Sequence, residues 1–209
     1  MDSIRKALGV IRANRKPYFA INGVYYGLVL CGMLVSSLFP AVQRLLMANI
    51  RASFESGLFS AVVKAYQSGN VPLAALLTFA INSALGAFAV ITLPSIVIPF
   101  AGCAAGFIRA TTWGLMLSPT NPRLLLAMLP HSIVLLLEGQ AYVLAAFGCY
   151  LWGKWFLRPG GAGFATRADG YRAGFRANVQ LYALILPLLA VSAVYEAVEV
   201  IAASALLRS

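Results

Sequence analysis

The sequence predicts an all-α fold: a polytopic membrane helical bundle of about five transmembrane helices, with an amphipathic helical segment outside the membrane. Three observations carry this. Of 209 residues, 61% are hydrophobic and only 11% charged, whereas a soluble domain carries roughly a quarter charged. Mean hydropathy is +0.83. The charged residues gather outside long apolar runs, and each run is near the ~20 residues needed to cross a hydrocarbon core. The same numbers exclude a disordered chain, a collagen and a disulfide-stapled secreted module, and leave no length for a sizeable soluble catalytic domain. Residues 1–209 therefore read as one integral membrane domain.

Taken in chain order, residues 1–17 form a basic N-terminus with Arg5, Lys6, Arg12, Arg15 and Lys16. The apolar run that follows is too long for a typical signal-peptide core and lacks a nearby Ala-x-Ala site, so it reads as an uncleaved first span over 18–39. Further spans are expected at 71–92, 96–117, 124–152 and 181–203. Pro94 and the absence of charge around it make the second connection tight, as a turn between two full spans or as a re-entrant pair. The three cysteines, Cys31, Cys103 and Cys149, sit singly in apolar runs and read as small packing residues. With one histidine, no ordinary Cys/His zinc site is expected, and no cofactor.

Two connecting segments are informative. In 40–70, Phe54, Leu58 and Val62 recur at i, i+4 and i+8, which predicts amphipathic helix. That face lies on the membrane surface, meets a partner protein or covers the chain's own bundle. The segment 153–180 opens with a glycine cluster lacking the Gly-Lys-Ser/Thr ending of a phosphate loop. It then carries Arg167, Arg172 and Arg176, with the last two one turn apart. A short interfacial helix with guanidinium groups at lipid phosphates is expected there.

The formal charge of +10 is spread along the flanks of the spans, which points to anionic lipid and topology control and not to nucleic acid. Five spans with a cytoplasmic N-terminus put ten Lys/Arg inside and five outside. This orientation obeys the positive-inside tendency, in a cytoplasmic (inner) membrane with the C-terminus outward.

Asn82, Arg109, His131, Glu138, Glu196 and Glu199 lie within expected spans. Ionisable groups there cost roughly 2.5–3.5 kcal/mol each unless paired or hydrated. Counting the helical rise from the span ends puts Arg109, His131 and Glu196 at similar depths of about 10–12 Å, with Glu138 and Asn82 deeper. Arg109 is thus expected to pair with Glu196 or Glu138 inside the bundle, with His131 near. Such groups serve either as glue between helices or as an ion, proton or recognition path. His131 and Ser132 are adjacent and face different ways on a helix, so they do not begin a catalytic triad. No enzyme is expected. Gly23-x-x-x-Gly27 and Gly102-x-x-x-Gly106 predict close helix packing, within the chain or across a dimer.

The run Leu129-Pro130-His131-Ser132-Ile133, followed by Glu138, Ala145-Ala146 and Gly148, resembles a segment of the stage II sporulation protein M family. So does Arg172-Ala173-Gly174-Phe175-Arg176 followed by Leu186-Pro187-Leu188-Leu189-Ala190 and Tyr195-Glu196. The likeness runs in order over about residues 75–203. It departs in having Ser132 where the family has Gly, Glu138 two turns after His131 instead of one, and the additional Glu199. The resemblance implies an all-helical protein of about five spans acting as a membrane scaffold or assembly subunit for other membrane or envelope proteins. A second copy of the chain is a further candidate partner. The rival expectations are a transporter or channel component using the intramembrane charges, and an accessory subunit of a larger membrane complex.

Overall fold

The computed structural model describes residues 2–54, 58–120 and 122–206; side chains at 51–54, 58, 122–124, 127, 205 and 206 lie outside that description. Among the described residues the architecture is all-helical: α1 (Asp2–Ala13), α2 (Arg15–Leu38), α3 (Pro40–Phe54), α4 (Leu58–Gln67), α5 (Val71–Ile81), α6 (Ala101–Met116), α7 (Pro122–Leu157) and α8 (Arg167–Leu206). α5 continues without a break into a wide π-helical stretch, Asn82–Thr92, and a 3₁₀ turn, Leu93–Ile96.

Four segments are long and apolar enough to cross a membrane: Arg15–Leu38, Val71–Ile96, Met128–Leu157 and Arg167–Ser204. The run expected as a span at 96–117 is helical only from Ala101 to Met116. Its 16 residues rise about 24 Å, less than the ~30 Å of a hydrocarbon core.

α7 is the axis of the bundle. In its apolar stretch 72% of residues are buried inside the protein, against 28–33% in the other three. Consecutive residues from Ala141 to Cys149 are all buried, because α2, α6, α8 and the π-helical stretch pack around it. A helix apolar on every side is what such a position requires. α7 and α8 form the most extensive packed pair.

Local sequence explains the boundaries. Phe39-Pro40 ends α2 because the proline ring disfavours helical backbone before it. Asn70 caps α5, its side chain accepting the Leu73 N–H at 3.0 Å, with Pro72 in the first turn. Thr166 and Asp169 start α8 with a reciprocal cap: the Thr166 hydroxyl donates to the Asp169 carboxylate at 2.7 Å and accepts the Asp169 N–H at 3.1 Å. Pro130 and Pro187 lie inside α7 and α8 without ending them.

The structure refines three readings. The short helix expected in 153–180 is the opening of a longer one: α7 runs to Leu157, α8 begins at Arg167, and the arginines occupy the opening turns of α8. The basic N-terminus is itself a helix, α1, packed along α8 through Ala7, Val10 and Ile11. The glycine pair in α2 makes no close approach within the chain: a Cβ at Gly23 or Gly27 would meet nothing within 4 Å. The residue of α2 that does is Gly32, which packs backbone to backbone on Gly114 of α6. Gly102 and Gly106 of α6 lie close to neighbouring elements. A Cβ on Gly102 would strike Ile91 O and Cys149 Sγ, and one on Gly106 would lie 3.2 Å from Ala146 Cβ. The unexpected pair is Gly170 and Gly174, which bring α8 against the Trp155 carbonyl and Trp152.

Candidate polar cavity

α4, α5, α6, α7 and α8 enclose a cavity of about 420 Å³. Its polar lining includes Arg109, His131 and Glu196, expected at one depth, and Asn82 and Glu138, expected deeper. Glu199 faces it indirectly through His131.

Each polar group is positioned by a local device. Asn82 opens the π-helical stretch and donates its side-chain N–H to the Glu138 carboxylate. Glu138 is only 4% exposed, so this bond replaces lost water. One turn on, the Tyr142 hydroxyl accepts a hydrogen bond from Arg109 Nη2 at 2.9 Å. The guanidinium carbon lies 4.2 Å from the Tyr142 ring centre and 5.0 Å from that of Trp113, within cation–π range. Tyr142 fits because residue 86 is glycine: a Cβ there would lie 2.9 Å from the Tyr142 hydroxyl. His131 Nδ1 is 3.2 Å from Glu199 Oε2, within hydrogen-bond distance. Glu196 makes no hydrogen bond or ion pair with a described residue.

The expected pairing of Arg109 with Glu196 or Glu138 is therefore not what forms. No carboxylate among the described residues lies within 4.0 Å of the guanidinium. Two rings hold it instead, Tyr142 from α7 and Trp113 from its own helix. Arg109 Nε is buried and without a hydrogen-bond partner.

α4 forms the cavity's remaining wall, with Phe59, Val62, Val63, Tyr66 and Gln67. Tyr66 and Thr78 share a hydrogen bond at 3.0 Å that fastens α4 to α5. Burial, and next the charge of Glu196, push the Tyr66 phenol above its ordinary pKa, so it stays protonated. Of the expected partner face, Val62 is half-buried and turned to the cavity. The side chains of Phe54 and Leu58 lie outside the described residues.

The chain was compared with family models, curated proteins and solved structures. It matches none of them.

Elsewhere, Arg167, Arg172 and Arg176 are exposed, and none forms an ion pair with a described residue. Tyr171 and Phe175 both pack on Trp152, and the Tyr171 hydroxyl donates to Ile96 O at 3.0 Å. Cys103 and Cys149 are buried and free, and Cys31 is exposed. Among the described residues no three of His, Cys, Asp and Glu converge to hold a metal ion. Sequence reasoning missed Tyr142, Trp113, Gly86 and Tyr66. The first two carry a signal: Trp113 follows Arg109 by four residues and Tyr142 follows Glu138 by four, each on one helix face.

Proposed function

We propose that the protein is a multi-pass component of the cytoplasmic membrane that receives a small polar solute in the cavity between α4 and α8, as a transporter or channel component. The observation that carries this is the lining itself. Five helices contribute to it, and beside the Asn82–Glu138 and His131–Glu199 contacts it holds two charged side chains, Arg109 and Glu196, that form no ion pair with a described residue. Glue between helices is expected to be mutually paired and to leave no space; here a cavity remains beside the paired groups, and Glu196 forms no ion pair with a described residue. The volume lies within the range of small-molecule sites.

The basic residues support a cytoplasmic N-terminus. A five-span topology is supported by where the ends of α6 are tied. Phe100, just before it, packs on Gly153 near the end of α7, while Gln43 holds the carbonyls of Met116 and Ser118 at 2.7 and 2.8 Å beside the start of α3. The exposed Arg167, Arg172 and Arg176 suit lipid phosphates.

The test is accessibility, then flux. In a cysteine-free background, Asn82→Cys should react with a small water-soluble methanethiosulfonate, and Glu138→Gln should remove solute flux in proteoliposomes. An unreactive thiol at 82 refutes a hydrated cavity.

A second reading, the membrane scaffold or assembly subunit implied by the likeness to the stage II sporulation protein M family, is favoured by α3. That helix exposes Val42, Leu45 and Met47. Under this reading Leu45→Glu releases co-purifying envelope proteins, while Glu138→Gln leaves them bound.

A further inference from the structure

Resting on the reading of the cavity as a solute site, we infer that its ligand is a small organic monocation of the ammonium class, with Glu196 as its counter-ion. The inference follows from charge and from the chemistry of the walls. Every other ionisable group at the cavity has an attachment of its own: Glu138 to Asn82, Arg109 to Tyr142 and Trp113, and His131 to Glu199. Glu196 has no hydrogen bond or ion pair with a described residue, and the positive charge that reaches it, that of His131, is shared with Glu199. An unpaired carboxylate in such a place calls for one positive charge.

The walls say which kind. Phe59 and Tyr66 of α4 and Trp113 of α6 line the same space as Glu196. Aromatic faces beside a single carboxylate suit an alkylammonium ion, which is held by ring quadrupoles as well as by charge. A bare metal ion would need six or more oxygen ligands for calcium or an octahedral set for magnesium. No three-residue acidic or histidine cluster converges among the described residues. An anion is disfavoured, because Arg109, the one guanidinium at the cavity, is already engaged by two rings while Glu138 and Glu196 share the space.

The purified full chain in detergent would be titrated calorimetrically with tetramethylammonium chloride, with sodium chloride and sodium acetate as comparison probes. Saturable tetramethylammonium binding is expected. Glu196→Gln, which keeps the side chain's shape, should weaken it at least about tenfold, and Glu196→Asp should restore part of the loss. Should Glu196→Gln fail to fold, Tyr66→Leu serves in its place and should weaken binding by about threefold or more. No saturable heat, or binding that neither Glu196→Gln nor Tyr66→Leu alters, overturns the inference. Acetate that binds and protects an Asn82→Cys thiol, with no tetramethylammonium binding, overturns the cation and leaves the solute site standing. A thiol at 82 closed to water-soluble reagent removes both.

Discussion

Replacing Tyr142 by phenylalanine removes one oxygen and tests the account of Arg109 directly. The hydroxyl is the acceptor for Arg109 Nη2 at 2.9 Å, and Tyr142 is fully buried. A hydrogen bond to a charged group contributes about 1.5–3 kcal/mol. The loss should lie toward the upper end, because Arg109 Nε already lacks a partner. The phenyl ring would still sit 4.2 Å from the guanidinium carbon, so the cation–π part survives. At 2–4 °C per kcal/mol for a chain of this size, thermal unfolding in detergent should fall by roughly 3–12 °C. The decisive measurement is a double-mutant cycle with Arg109→Gln. If the hydroxyl acts through the guanidinium, the two losses overlap and the coupling is about 1 kcal/mol or more. Losses that add within about 0.5 kcal/mol, or a Tyr142→Phe variant that melts with the parent, would show that Arg109 is held by something else.

Other expectations separate the remaining contacts. Gly102→Ala should destabilise by about 1–3 kcal/mol, since the new methyl meets Ile91 O and Cys149 Sγ, whereas Gly23→Ala meets open space and should be neutral or gain up to about 1 kcal/mol of helix propensity; melting temperatures compare the two. Tyr66 has its pKa raised on folding, so the native state holds a proton that the unfolded chain releases near pH 10, and stability should fall as pH rises beyond that point. Tyr66→Phe should flatten that tyrosine's share of the slope, read by unfolding between pH 8 and pH 11. Arg172→Gln with Arg176→Gln should reduce retention of anionic lipid through purification, measured by mass spectrometry, and leave melting within about 0.5 kcal/mol of the parent because both side chains are exposed.

The apolar runs made the helical class and the placement of most spans legible, because a long uncharged stretch has few other stable forms. What they could not reveal is continuity across a change of solvent. Arg167–Arg176 reads as polar and Leu181–Ile201 as apolar, yet one helix carries both, since backbone hydrogen bonding does not stop where composition shifts. Three ionisable residues of the cavity, Arg109, His131 and Glu196, are grouped by depth, while Glu138 is placed deeper. Their pairing was not legible. Charge arithmetic matched Arg109 with a carboxylate, but its i+4 neighbour Trp113 and, across the bundle, Tyr142 of α7 hold it with two rings. The glycines divide for a similar reason. Spacing marks Gly23/Gly27 and Gly102/Gly106 equally, and only the rotation of each helix about its own axis decides which pair meets a neighbour. Gly86 carried no spacing signal, since its importance comes from a tyrosine 56 positions away.

α8 runs for 40 residues without interruption, a rise of about 60 Å and roughly twice the thickness of a hydrocarbon core. Arg172 near its beginning and Glu196 near its end are thus fixed about 36 Å apart on a single rod. A pull or twist applied where the rod emerges among phosphates would be delivered, turn by turn, to the carboxylate at its far end.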